Sequence, residues 1–480
     1  MNVRKLFSRI CFVALLTACV SALGFGQTMA EVDVVVQKAI DAKVIPGAGV
    51  AVVRDGKVLF TKGYGYRDVD AGTPVTVDTG FQIASVTKQF TAAGIMLLVE
   101  KGKVKLDEPV GKYVANLPAK WNVVTIRQLL NQVSGIPNYN AGNRLDPNKV
   151  YTKAEIIDLM RDVPMTFEPG TRWEYSNTNY FLLGLVIEKA SGKPYADFMH
   201  ERIFKPLDMR STYVNSKGLT AKYAASGYSM VQGKWQRAEI GDPGLPYAAG
   251  AIVSTPVDMA KWAAAVAEGK LLKKTSWDEA FTPAKTADGR TTNYGFGWNT
   301  GSLGEVPFIA HSGGIQGFGA YHVRFPNDNL SVVVMTNTVG TSTQIANDIA
   351  GVYLPKVAAA LAAEAKAREA ARSAAAIEDA DPETTKFLRG VFEGMLRGEG
   401  DPAIFSADMQ KMLFPERIKQ LKGPLGSQGP IKAFELVSAE NTANTKSRRY
   451  RITFESGLKV RGNFVIDAEG KISSAGFGRE

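Results

Sequence analysis

Two β-rich runs stand at opposite ends of a long, mostly helical middle, and any fold for this chain has to join them. The first, residues 46–69, contains Pro46-Gly47-Ala48-Gly49-Val50-Ala51-Val52-Val53 and Val58-Leu59-Phe60-Thr61, split by Asp55-Gly56, a hairpin signal. The second, residues 306–338, holds Pro307-Phe308-Ile309-Ala310, Gly319-Ala320-Tyr321-His322-Val323 and Leu330-Ser331-Val332-Val333-Val334-Met335, with Asn327-Asp328-Asn329 as a turn. Strands at both ends with helices between them predict one α+β unit, residues 31–355, whose sheet is closed by distant parts of the chain.

Inside the helical middle, Phe81-Gln82-Ile83-Ala84-Ser85-Val86-Thr87-Lys88 reads as a short turn feeding an apolar helix that carries Phe90, Ile95, Met96 and Leu97. Residues three apart on a helix are neighbours, so Ser85 and Lys88 can touch. An amine at that distance can take the hydroxyl proton, which suggests an activated serine nucleophile. The spacing alone decides little, since a helix-capping serine beside a solvated lysine fits it too. A second Ser-x-x-Lys, Ser456 to Lys459, falls among strand-like residues, where the side chains splay apart. Farther on, Thr125 to Leu130 makes a short helix ending at Ser134-Gly135-Ile136-Pro137. Thr152 and Glu155 form a capping box, an apolar helix runs from Tyr180 to Ala190, and Thr255-Pro256 caps another helix.

Residues 1–30 carry Arg4, Lys5 and Arg9 before an apolar run and end at Thr28-Met29-Ala30, the pattern of a signal peptide. Leu16-Thr17-Ala18-Cys19 allows a different reading, a lipoprotein box in which Cys19 is the lipid-anchored N-terminus. The first predicts a periplasmic or secreted protein and the second a lipid-anchored one; neither leaves a transmembrane helix in the mature chain. Cleavage at Ala30 removes both cysteines, Cys11 and Cys19, and with them any disulfide or thiolate site. It also lowers the formal net charge from +10 to +10 − 3 = +7. That surplus is spread without long basic runs, which with export argues against nucleic acid; contact with an anionic cell wall and simple solubility both fit it. An alanine-rich helical linker, residues 356–381, leads to a helix-plus-meander pattern over residues 382–480, a small α+β domain without an assignable motif. Nothing in the chain indicates an oligomeric state.

Three motifs follow in order: Ser85-x-x-Lys88, Tyr175-Ser176-Asn177 and His311-Ser312-Gly313-Gly314. With Leu129 to Pro137 and Glu168-Pro169-Gly170 beside them, they resemble the serine β-lactamase and penicillin-binding-protein superfamily over about residues 40–350, and most nearly its class C β-lactamase-like branch. The resemblance implies an antiparallel sheet flanked by helices plus an all-helical lobe. It implies Ser85 as nucleophile, Lys88 as its base and Tyr175 as a proton partner. Asn177, His311 and Gly313 fall on the substrate side, and the backbone N–H groups of Ser85 and Gly314 in the oxyanion hole. A buried tyrosine with one hydrogen bond is the bland alternative for Tyr175, and Tyr213-Val214-Asn215 repeats the spacing without the context. His200 and His322 read as structural.

Where the family has lysine, this chain has His311. A mostly neutral imidazole is a poorer anchor for the carboxylate of β-lactams and D-Ala-D-Ala peptides, so esters, amides and D-amino-acid peptides gain weight as substrates. The three histidines and the absent mature cysteines provide no metal cluster, and no nucleotide loop or Gly-x-Ser-x-Gly elbow occurs, so no cofactor is expected. The reading is an exported serine hydrolase acting through an acyl-enzyme on a small molecule or short peptide. Its rivals are a true β-lactamase or D-alanyl-D-alanine carboxypeptidase, and a non-catalytic cell-wall peptide binder.

Overall fold

The structure, a computed structural model, describes residues 28–479 except 142–143, 147–148, 217–222, 240, 415–417 and 420–425. Residues 1–27, with the expected signal sequence and both cysteines, lie outside the described residues; 28–41 form a helix, α1. The chain divides into two compact units between Ala362 and Ala363.

In the first unit the two distant β-rich runs form one sheet. Its strands are β1 (Gly47–Arg54), β2 (Lys57–Asp68), β3 (Thr73–Pro74), β4 (Asn299–Leu303), β5 (Val306–Ile315), β6 (Phe318–Phe325) and β7 (Leu330–Thr336). They lie in the order β3-β2-β1-β7-β6-β5-β4, every neighbour antiparallel. The β1–β2 hairpin turns at Asp55-Gly56, both in the left-handed region. Closure comes from β1 against β7, in register from Ala48 opposite Thr336 to Arg54 opposite Leu330. Because side chains alternate across a strand, Val50, Val52, Val332 and Val334 pack with Val32 and Val36 of α1 and Ile345 and Ile349 of helix Ser342–Tyr353. Ala51, Val53, Val333 and Met335 face the opposite way, into the core of the helical lobe.

That lobe is built on α2 (Thr87–Glu100), buried from Thr87 to Leu98. From Phe90 to Leu98 it is apolar on nearly every side, as a helix in an interior is, and Phe90 stacks on Trp262 at 4.1 Å between ring centroids. Beside it lies α3 (Asn177–Ser191), which begins at Asn177, earlier than the apolar run from Tyr180 suggests. Both capping boxes, Thr125 with Gln128 and Thr152 with Glu155, are formed. The lobe also contains a three-stranded sheet with Ile252–Ser254 between Phe81–Gln82 and Tyr213–Val214. These strands are two or three residues long, too short for periodicity to mark them.

The second unit has its own core. Leu388 and Phe392 of helix Pro382–Arg397 pack with Tyr450, Ile452, Phe454 and Phe464 of a four-stranded antiparallel sheet. Helix Pro355–Ser373 spans the division between the units. Ser456, of the second Ser-x-x-Lys, sits at a turn and donates to Gln428 Oε1 at 3.2 Å.

Candidate active site

Ser85 lies in a 3-10 turn, Ala84–Val86, that runs into α2. The turn is strained: Ala84 has φ of 45°, a region that a Cβ normally forbids, at a cost of about 1–3 kcal/mol. Long-range contacts hold it there. The N–H of Ile83 donates to Ile252 O at 3.0 Å, and Thr87 Oγ1 accepts the N–H of Ile252 at 3.1 Å. Against the turn packs β5, where a Cβ on Gly313 would lie 2.2 Å from Ile83 O and 3.1 Å from Ser85 N. Only glycine permits this approach.

The second residue of α2, Lys88, is fully buried. Its Nζ lies 3.1 Å from Ser85 Oγ, 2.7 Å from Asn177 Oδ1 and 2.8 Å from Ala249 O. None of these three partners is a carboxylate, and burial holds the amine's pKa well below its ordinary value. A neutral amine has two N–H groups and a lone pair. The Ala249 carbonyl and the Asn177 amide oxygen are acceptors, so together they consume both N–H groups. In that form the lone pair is left facing the Ser85 hydroxyl.

Asn177 opens α3 and is held from two sides. Its N–H donates to Asn138 Oδ1 at 3.1 Å and its Nδ2 donates to Asn140 Oδ1 at 3.2 Å, which turns its oxygen toward Lys88. Behind it, Gln132 Oε1 accepts from Ser176 N and Asn179 Nδ2, and Ser134 Oγ donates to Asn179 Oδ1 at 2.6 Å. The loop of residues 132–140 thus acts as the frame of the second motif. Asn138, Asn140 and Gln132 were not among the expected site residues; the asparagine pair just after Ser134-Gly135-Ile136-Pro137 was the available signal.

The Tyr175 ring lies 4.7 Å from Lys88 Nζ. Its hydroxyl is buried without a hydrogen bond of ordinary geometry. Burial pushes its pKa up, and the neighbouring Ser85 hydroxyl acts weakly in the other direction. The hydroxyl is therefore protonated at neutral pH and faces the serine.

His311 departs from its expected place on the substrate side. The ring is buried: Nδ1 lies 2.6 Å from Ser312 O, and Nε2 lies 2.8 Å from the Tyr294 hydroxyl. A carbonyl can only accept, so Nδ1 carries the proton and Nε2 accepts from Tyr294. Burial is the main cause that lowers its pKa to about 3, and Lys88 adds to it in its protonated form. His311 stands behind Tyr175, ring centroids 6.1 Å apart, as a neutral support. Gly313 meets the serine turn, and Gly314 borders the open cleft with Ser85, Asn140 and Asn177, a space of about 220 Å³.

His322, opposite His311 in the β5–β6 register, is also buried; its Nδ1 lies 2.9 Å from Gln89 Oε1, which accepts Trp262 Nε1–H at 3.1 Å as well. His200 sits at the surface. Tyr213 lies on a short strand in place of a second site. Among the described residues no cluster of metal-ligating side chains occurs, and no helix is long and apolar enough to cross a membrane.

Comparison with known proteins gives the chain a family and a fold. The family described as Beta-lactamase matches residues 32–353. Penicillin-binding protein 4* of Bacillus subtilis (strain 168) is 30% identical over 311 residues, covering 60% of this chain and 67% of that protein. Protein flp of Staphylococcus aureus (strain MW2) is 29% identical over 314 residues, covering 64% of this chain and 62%, less than two thirds, of its own length. Among solved structures, D-amino acid amidase from Ochrobactrum anthropi SV3, complexed with L-phenylalanine amide, is similar at TM-score 0.59 and 30% identity, over 70% of this chain and 99% of that one. The octameric penicillin-binding protein homologue from Pyrococcus abyssi, at 24% identity and TM-score 0.59 over 91% of this chain and 96% of its own, shares the fold.

Proposed function

This chain belongs to the β-lactamase family, and from that premise we propose that it is an exported serine hydrolase acting through an acyl-enzyme on a small amide, ester or D-amino-acid peptide. The observation that carries the reading is the Lys88 amine, buried without a counter-ion and 3.1 Å from Ser85 Oγ. An enzyme has reason to bury a lysine this way, because desolvation turns it into a base.

The geometry supports the following steps. Neutral Lys88 takes the Ser85 proton as Oγ attacks the acyl carbon. The oxyanion is met by the backbone N–H groups of Ser85 and Gly314, each such donor worth about 3–4 kcal/mol in a transition state. Tyr175 passes a proton from the Lys88 side to the leaving amine or alkoxide, and Asn177 keeps Lys88 aimed while bordering the substrate. Water then attacks the ester on Ser85 by the reverse proton path, which regenerates the serine.

Neutral His311 weighs against a true β-lactamase or D-alanyl-D-alanine carboxypeptidase, whose substrates present a carboxylate at this position. The complete Ser85, Lys88 and Tyr175 set weighs against a silent peptide binder. Fluorophosphonate and fluorescent penicillin, applied to wild type and Ser85→Ala with a p-nitrophenyl ester assay alongside, test the proposal. Labelling by fluorophosphonate and ester turnover, both lost in Ser85→Ala, are expected. Absence of both in the wild type refutes the enzyme, and turnover that survives in Ser85→Ala refutes the nucleophile.

A further inference from the structure

We infer that the Ser85 cleft selects acyl donors carrying a free ammonium group, and that Asp242 is the residue that recognises it. This rests on the hydrolase reading above and adds the charge of the substrate.

Among the described residues, Asp242 is the one charged side chain lining the cleft; its companions include Asn140, Leu245, Ile315 and Gln316. The two nearby basic groups, Lys88 and His311, are withdrawn from it. Lys88 is buried, with its N–H groups consumed by Asn177 and Ala249. His311 is held as the Nδ1–H tautomer by Ser312 O and Tyr294 and does not reach the cleft.

Asp242 is also oriented. Its Oδ1 accepts the N–H of Gly244 at 2.9 Å, which fixes the carboxylate on the turn that walls the cleft. Behind that wall, a second cavity of about 440 Å³ is bordered by Asp242 and Leu245 and contains Lys153. That lysine is paired with Glu188 at 2.6 Å and leaves Asp242 uncompensated from this side.

A small cleft with one carboxylate and no cation among its described lining residues attracts an ammonium and repels a carboxylate. Amides and esters of amino acids with an unblocked amine have that chemistry. N-acylated peptides ending in a carboxylate do not.

The test uses the full chain and three p-nitroanilides of one amino acid, in both enantiomers: unblocked, N-acetyl and N-succinyl. Wild type is expected to prefer the unblocked substrate over its N-acetyl twin by about tenfold or more in kcat/KM, the scale of one productive ion pair. The N-succinyl twin should be poorest. Asp242→Asn keeps the oxygen that accepts from Gly244 and should collapse the unblocked-to-acetyl ratio toward one, while Asp242→Glu should retain much of it. A wild-type ratio near one, or a ratio unmoved in Asp242→Asn, overturns the inference.

Calorimetric binding of the unblocked and N-acetyl amides to Ser85→Ala reads the same preference without turnover. Absence of both fluorophosphonate labelling and ester turnover would refute the hydrolase, and the binding ratio would still decide the charge preference.

Discussion

A Cβ on Gly313 would stand 2.2 Å from the carbonyl oxygen of Ile83, closer than two such atoms can approach. The third-motif strand is therefore pressed onto the backbone of the serine turn, and the position of Ser85 depends on a missing side chain. Gly313→Ala has to move either β5 or the turn, since the atom it meets is backbone. We expect kcat/KM to fall by a factor of about 100 or more and stability by about 1–3 kcal/mol. Gly314→Ala is the comparison for stability: its Cβ would meet Val339 at 3.7 Å, an ordinary contact. Urea unfolding of the two variants should separate them clearly.

The buried Lys88 costs stability in a pH-dependent way. Its folded-state pKa is depressed below that of the unfolded chain, so below about pH 10.4 the unfolded chain binds the extra proton and folding must expel it. Stability from this group is fully present above the unfolded pKa and is lost as pH falls toward the folded pKa. Lys88→Met removes the titration. Its stability relative to wild type should decline as pH rises from 7 to 9.5, by up to about 1.4 kcal/mol per pH unit. Paired urea melts at the two pH values measure this, and a difference independent of pH would mean that Lys88 stays protonated in the fold.

Some of this architecture is readable from residues alone, and the reason is locality. The Ser85–Lys88 contact is set by spacing within one turn, and the pairing of residues 46–69 with 306–338 follows from alternating β-branched residues too apolar to stand alone. Other parts depend on contacts between distant segments. The left-handed Ala84 is held through Ile83 by Ile252, the His311 tautomer is fixed by Tyr294, and the aim of Asn177 is fixed by Asn140. His311 in particular has the right place in the motif order and a different orientation from the one its position suggests, because Tyr294 and the Ser312 carbonyl use both its nitrogens.

His311 and His322 both have pKa values lowered to about 3 by burial, with Lys88 adding to the first and Arg324 to the second. Each is neutral in the fold and takes a proton in the unfolded chain once pH drops below about 6.5. Stability from these groups is intact above that value and is lost as pH falls from about 6.5 to 3, with a slope of up to about 1.4 kcal/mol per pH unit for each. His311→Gln, an uncharged replacement, should flatten that slope by one group's share. Acid titration followed by near-UV circular dichroism checks it, and an unchanged slope would show that His311 is not held neutral.

The last prediction separates the position of Lys88 from its charge. Asn177 Oδ1 lies 2.7 Å from Nζ as a neutral acceptor, so Asn177→Asp keeps the oxygen and adds a negative charge. A carboxylate there stabilises the ammonium and raises the Lys88 pKa, shrinking the fraction that can accept the serine proton at any given pH. Activity at pH 7 should drop by a factor of about 100 or more, and the acidic limb of the kcat/KM profile should move to higher pH, with partial recovery as pH rises. Asn177→Ala removes the acceptor without adding charge, so it should lower activity and leave that limb without the upward shift. A profile that moves in Asn177→Asp and not in Asn177→Ala identifies Lys88 as the titrating base. A loss equal at every pH in both variants would assign Asn177 to substrate contact alone.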